Sequence, residues 1–349
     1  MKLIKTEDAV GSVLAHDLTQ IIIGQYKGAR FRKGHIVKEE DIPILLSMGK
    51  ENLYVWEKQE GWLHENEAAE ILRDLAKGEH MTASEPKEGK IELTADCDGL
   101  LKINSKALLE INSTPQMMIA TRHGNTPVKK GDKLAGTRII PLVIEEEKMK
   151  NLQKNTLSIT NGKPVLELIP YSFKKVGIVT TGSEVYKGRI EDTFTPVLIK
   201  KLSEFNTEII GHIKTDDSDK MTTGAINELL EKGADFVLCT GGMSVDPDDK
   251  TPLAIKNTGA SIVSYGAPVL PGAMFLLAYL PAISNGKPNR VICGLPGCVM
   301  YAKRTIFDLI LPRIMADDII TKEDIATLGE GGLCLCCQTC TYPNCGFGK

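Results

Sequence analysis

Beyond residue 174 the chain settles into an alternation that admits few folds. Short apolar runs over 176–180, 208–213, 235–239 and 291–293 read as strands, and between them stretches over 195–205, 218–232, 251–257 and 299–315 carry helical periodicity. Pro196 and Pro252 sit where a first helical turn tolerates proline, and Gly233 and Gly259 stand just past helix ends. Strands that alternate with helices at this spacing require right-handed crossovers and a sheet covered on both faces. The expected fold is therefore α/β, a doubly wound and mostly parallel sheet. Pro268, Pro271 and Gly272 within 261–280 suggest a hairpin-like insertion before the last strand.

Three of the expected strands run directly into glycine-bearing loops. These are Thr180-Thr181-Gly182-Ser183-Glu184, then Thr240-Gly241-Gly242-Met243-Ser244 continuing to Asp246, Asp248, Asp249 and Thr251, and then Gly294-Leu295-Pro296-Gly297. In an open parallel sheet such loops converge on the edge where the strands end, and ligands bind there. Gly182 permits a sharp turn and close approach to backbone amides, and Thr181 and Ser183 carry hydroxyls that donate to phosphate oxygens. Paired glycines after a strand expose amides as an anion-binding nest. The aspartates supply hard oxygens of the kind that hold Mg2+ on a phosphate, or they are solvated turn residues. Glu184 is either a metal or ring-NH acceptor or a solvated side chain. Asp192, just before a helix start, is either an N-cap or a carboxylate directed at a metal or oxyanion. Taken together, the loops describe a site for a phosphorylated ligand.

The 349 residues suggest about two domains with appendages. The segments expected are 1–90, an N-terminal α+β region; 91–170, a β-rich module and linker; 171–316, the α/β domain; and 317–349, a cysteine-rich tail. In the first, strands are expected over 10–18, 20–24 and 53–56, and helices over 38–48 and 62–78. In the second, 91–141 reads as strands and 145–164 as a short helix or linker. With 42 basic against 45 acidic residues, the net charge of −3 leaves no nucleic-acid footprint, and no basic stripe is interleaved with aromatics. The longest apolar stretch, 273–282, is about half a membrane span. No membrane or nucleic-acid partner is expected, and the cytoplasm is the default location. The six histidines form no HExxH or i,i+4 pair that would ligate a metal.

The loop motifs, in this order and at these distances, resemble the molybdopterin-binding domain of molybdenum-cofactor biosynthesis proteins, the MoeA/MogA/MoaB-like family that includes gephyrin. The resemblance covers roughly 174–316 and includes the Gly188…Asp192 segment and Pro268…Pro271-Gly272. Two further stretches resemble the molybdotransferase branch: 9–18 its opening strand, and 34–49 the segment that precedes the pterin-binding domain there. The resemblance implies a site for molybdopterin or its adenylylated form. Its contacts would be Thr180, Thr181, Gly182, Ser183, Gly241, Gly242, Met243, Ser244, Thr251, Pro271, Gly272, Gly294, Leu295, Pro296 and Gly297. It places Asp192 and Asp249 at acidic positions associated with Mg2+ or molybdate and with attack on the phosphoanhydride, with Glu184 as a third carboxylate. A homo-oligomer and a molybdoenzyme client are implied as partners. The sequence departs from the family in having Phe194 and Cys298 where asparagines are usual, and in lacking an acidic MDGYA-type stretch. Three activities follow: molybdate insertion or adenylyl handling; a non-catalytic carrier or chaperone of the cofactor; and a competence-damage-type nucleotide pyrophosphatase, which shares the sheet.

Cys334, Cys336, Cys337, Cys340 and Cys345 crowd into the last sixteen residues as C-x-C-C-x2-C-x4-C. Disulfides are not expected in a cytosolic chain. Thiolates this dense suit Zn2+ or an iron–sulfur cluster, and the alternative is a flexible, redox-sensitive tail.

Overall fold

A computed structural model describes the chain apart from Met1, 23–25, 56–59, 245, 247–248 and 283–288. The expected strand ends at Gly24 and Trp56, and the carboxylate of Asp248, lie outside the described residues. Two compact units are formed. One contains 1–96, 103–122 and 130–167, and the other contains 97–102, 123–129 and 168–349.

The N-terminal unit has an antiparallel sheet whose strands lie in the order Met81–Ala83, Lys90–Ala95, Lys133–Ile139, Met117–Thr121. A hairpin of Leu18–Ile22 with Tyr26–Phe31 belongs to a small separate core of Ala9, Leu14, Leu18, Phe31, Val37, Leu45 and Leu53. Two expectations need correction. The stretch 91–141 is not all strands, since Ser105–Ser113 is a helix. The Asn104 side chain caps it by accepting the Ala107 amide, and Ala107 and Ile111, four residues apart, are its buried positions. The helix expected over 62–78 is a strand, Trp62–His64, followed by the helix Glu65–Ala76. A reciprocal cap sets the boundary: Nδ1 of His64 accepts the Asn66 amide, and the Glu67 carboxylate accepts the His64 amide. The segment 145–164 forms one helix, Glu146–Thr160, closed by Asn161 in a left-handed conformation.

In the C-terminal unit the main sheet has six strands: β1 (Lys174–Thr181), β2 (Thr207–Thr215), β3 (Phe236–Thr240), β4 (Ser261–Tyr265), β5 (Leu276–Leu280) and β6 (Arg290–Leu295). Their order is β2-β1-β3-β6-β5-β4, with the first four parallel and β5 antiparallel to both of its neighbours, β6 and β4. The stretch 261–280 is thus not an insertion but the far edge of the sheet. Every residue of β3 is buried, as a strand covered on both faces requires. Side chains alternate between two cores. Val176, Ile178, Phe236 and Leu238 pack with α1 (Phe194–Leu202), while Val179, Val237 and Cys239 pack with α2 (Asp219–Glu231) and α3 (Thr251–Asn257). The last expected helix is divided. A 3-10 turn, Gly297–Met300, precedes α4 (Ile306–Met315), which joins the α1 core and is capped by Thr305 and Asp308. A short α5 (Lys322–Thr327) follows. No helix among the described residues is long and apolar enough to cross a membrane.

Candidate functional site

Strand register determines which loops meet. Thr181 pairs with Thr215, Thr180 with Thr240, Thr240 with Leu295, and Gly294 with Leu276. The loops after β1, β2, β3 and β6 and the connection entering β5 therefore share one edge of the sheet. All three sequence motifs stand there, as does the Pro271-Gly272 pair. A fourth loop, Thr215-Asp216-Asp217, was not singled out from sequence; Asp217 Oδ2 accepts the Ser183 amide at 3.0 Å, and the Gly182 amide donates to the Thr215 carbonyl.

The loop after β3 is locked from below. Thr181 Oγ1 donates to the Thr240 carbonyl at 3.0 Å, and Thr251 Oγ1 donates to the Gly241 carbonyl at 2.8 Å. The Thr251 amide donates to Gly242. Gly241 has φ +84°, and a Cβ there would collide with the Thr181 carbonyl oxygen. Gly242 has φ +56°, and its Cβ would lie 2.7 Å from Thr251 Oγ1. Both positions demand glycine for conformation and for space. Among the described residues, the amides of Gly242, Met243 and Ser244 donate to no protein acceptor. The side chain of Met243 is buried, and its sulfur occupies the room left by the absent Cβ of Gly294. Met243 therefore contributes backbone to the site and packing to the core. Gly272 makes room in the same way for Ile306 at the start of α4, whose amide donates to the Pro271 carbonyl. Leu295 and Pro296 are buried, while Gly297 is exposed.

The Asp192 side chain caps the start of α1. Its Oδ1 accepts the amides of Phe194 and Thr195, both at 3.0 Å, and its Oδ2 accepts the Thr195 hydroxyl at 2.7 Å and the Thr180 hydroxyl at 3.3 Å. His212 Nε2 lies 3.3 Å from the same oxygen, and the Asp192 side chain is 7% exposed. Burial raises this carboxyl, but the Thr195 hydroxyl, the two amides and His212 together bring it below the usual carboxylate range. Burial lowers His212, and Asp192 opposes that. A sequence scan for metal-binding histidine spacing does not find His212, because its partners come from β1 and α1.

The other carboxylates are more open. Glu184 is exposed and lies in the single turn Ser183–Tyr186. Asp249 is half-buried, with its amide on the Asp246 carbonyl. It lies near the phenol of Tyr265, which burial and the Asp249 charge both raise. Tyr265, also unanticipated, reaches the Met243 and Ser244 carbonyls at 3.3 and 3.4 Å. Asp192 precedes α1 and Asp249 precedes α3, so the two acids approach the edge from opposite faces of the sheet. No group of three or more His, Cys, Asp or Glu side chains is placed to hold a metal ion among the described residues.

Residues 177–316 match the family described as "Probable molybdopterin binding domain", and residues 3–57 match a domain of unknown function. The chain is 25% identical over 158 residues to the molybdopterin molybdenumtransferase of Synechococcus elongatus, covering 43% of this chain and 38% of that protein. It is 32% identical over 97 residues to the molybdopterin adenylyltransferase of Pyrococcus furiosus, 28% of this chain and 56% of that one. Over 85 residues it is 34% identical to a CinA-like protein of Pseudothermotoga lettingae, 24% of this chain and 21% of that one. The chain thus spans between about a fifth and just over half of the length of these relatives. The glycine loops and the sheet edge they form all lie within residues 177–316, the segment that matches the probable molybdopterin binding domain.

Proposed function

We propose that this edge binds molybdopterin or its adenylylated form by its phosphate, and that the chain acts in molybdenum-cofactor biosynthesis. The observation that carries this reading is the turn at Gly242–Ser244, whose three amides have no protein acceptor among the described residues and which follows two positions, Gly241 and Gly242, where conformation and space exclude a side chain. Such a turn is a nest for an oxyanion. Thr181 and Thr251 hold the nest from beneath through hydrogen bonds to backbone carbonyls, so a phosphate would meet a preorganised cradle.

Asp192 does not fit an inner-sphere Mg2+ ligand. Its two oxygens already accept two amides and two hydroxyls, and His212 stands against one of them. We assign it to holding the start of α1 and the end of β1 in register. Asp249 and Glu184 are the carboxylates left for a Mg2+ that arrives on a phosphate, a role suited to an ion that keeps several waters. Molybdate would enter as substrate, not as a resident group. A saturated Asp192 favours a carrier that presents the cofactor to a molybdoenzyme client, and a homo-oligomer is part of this proposal. Adenylyl handling is the second reading, supported by the likeness to an adenylyltransferase.

The test is binding of molybdopterin, followed by the fluorescence of its oxidised pterin, to the wild type and to Gly242→Ala. The variant should weaken binding at least tenfold, and equal affinity would sink the nest. Molybdate-dependent release of AMP from adenylylated molybdopterin separates the two activities. Tight binding without AMP above background leaves the carrier.

A further inference from the structure

A cavity of about 540 Å3 lies in the C-terminal unit, and Cys334, Cys336, Cys337, Cys340 and Cys345 all line it. The segment that bears them is built into the unit. The Leu270 amide donates to the Gly332 carbonyl and the Cys334 amide returns to the Leu270 carbonyl, each at 2.8 Å. Tyr342 Oη donates to the Asp308 carbonyl at 2.9 Å, and Lys303 Nζ donates to the Gln338 carbonyl at 2.8 Å. Phe347 is 5% exposed within the core of α4. This is an anchored wall, unlike the flexible alternative expected from sequence.

Three observations bear on what fills the cavity. The five cysteines line one space, and among the described residues no three of them are placed to hold a single metal ion. A zinc ion about 2.3 Å from each of four sulfurs would close that space. The spacing also becomes regular once Cys336 is set aside. Cys334, Cys337, Cys340 and Cys345 then read C-x2-C-x2-C-x4-C. The first three have the C-x2-C-x2-C spacing of the three cysteines that share one cluster in bacterial ferredoxins, where the next cysteine of the run ligates a second cluster; here Cys345 lines the same cavity as the first three and is the cysteine left for the fourth position. Finally, two cations face the same cavity. Lys303 and Arg304 line it, and the guanidinium of Arg304 lies 4.9 Å from the Tyr342 ring centroid and interacts with Cys340. Positive charge there suits a guest made anionic by four thiolates.

We propose that this cavity is the site of a [4Fe–4S] cluster ligated by Cys334, Cys337, Cys340 and Cys345, with Cys336 unligated. Loading is a ligand exchange. Each of the four thiols gives up its proton, and the resulting thiolate displaces one small-thiol ligand from a preformed cluster. That ligand leaves carrying the proton, and no iron changes oxidation state. The cavity shares Pro271 with the loop edge, but the four proposed ligands include none of the glycine-loop amides, so the proposal does not depend on the pterin reading.

The experiment offers anaerobic full-length protein a preformed [4Fe–4S] cluster carrying small-thiol ligands, desalts it, and assays iron and acid-labile sulfide. About four of each per chain are expected. Cys337→Ser and Cys340→Ser should each lose most of both, while Cys336→Ser should keep them. Circular dichroism and molybdopterin binding, measured on every variant, report folding independently of the cluster. Zinc bound at about one per chain with no labile sulfide would overturn the proposal. Undiminished iron and sulfide in the folded Cys337→Ser/Cys340→Ser double variant would do the same, as would their loss from a folded Cys336→Ser.

Discussion

At the scale of single residues, two carboxyls show how place decides role. Asp192 is spoken for on both oxygens, so its removal should be felt first as lost capping. Asp192→Ala should destabilise the C-terminal unit by about 1 kcal/mol, read as a lower urea midpoint, and Asp192→Asn should retain much of that. The sign with pH follows from its lowered carboxyl. A group held low contributes stability above its unfolded value and loses it as pH falls through the folded one, so the gap between Asp192→Asn and wild type should narrow towards acid pH. Glu65 in the N-terminal unit is the converse. Burial, with Glu88 adding to it, raises its carboxyl from 4.5 to about 7. The folded state holds a proton there that the unfolded chain gives up near 4.5, so stability is present below that value and declines as pH rises through about 7. Glu65→Gln should abolish this decline, on the order of 1 kcal/mol between pH 5 and 8. Urea titrations of both proteins at the two pH values check it, and parallel pH dependence would refute it.

At the scale of elements, one close packing in the sheet is where α2 lies on β1 and β2. A Cβ on Gly177 would stand 2.8 Å from Leu229 Cδ1, and one on Gly211 would stand 2.7 Å from Leu229 Cδ2. The helix sits this close because both strands leave out a side chain beneath the leucine. Gly177→Ala should therefore cost about 1–3 kcal/mol by overpacking. Part of that should return in Gly177→Ala/Leu229→Ala, and a double-mutant cycle measures the coupling. What the sequence reveals at this scale depends on how local the cause is. The parallel strands are visible because burial on both faces makes them continuous apolar runs, and α3 is visible because Pro252 and Gly259 bracket it. The helix Ser105–Ser113 is hidden because only Ala107 and Ile111 mark its buried stripe, within a segment otherwise made of strands. The glycine loops of the site are equally legible, since the turn demands glycine locally. The contacts of Asp192 with His212, of Ser183 with Asp217 and of the Ser244 carbonyl with Tyr265 are not, because each joins residues that only the tertiary fold brings together. The cysteines are conspicuous in sequence, whereas the wall they form depends on bonds to Leu270 and Asp308.

At the scale of the whole molecule, the chain has two units with separate cores, and every residue proposed to touch a pterin lies in one of them. That separation has a thermodynamic consequence. A ligand that binds only the native form of one unit stabilises that unit by RT ln(1 + [L]/Kd), about 2.7 kcal/mol at a hundredfold excess over Kd. If the units unfold independently, molybdopterin should raise one thermal transition and leave the other in place. The two can be told apart without dissecting the chain: Gly177→Ala should lower the transition that the pterin raises, and Glu65→Gln should alter the pH response of the other. Differential scanning calorimetry of the full-length protein, with and without pterin, makes the comparison. A pterin shift confined to the transition that Glu65→Gln controls would place the binding site in the N-terminal unit and remove the loop edge from the function. A single transition that moves with both variants and with the pterin would mean that the two cores melt as one cooperative body, so that binding at the loop edge also stabilises the sheet of the N-terminal unit.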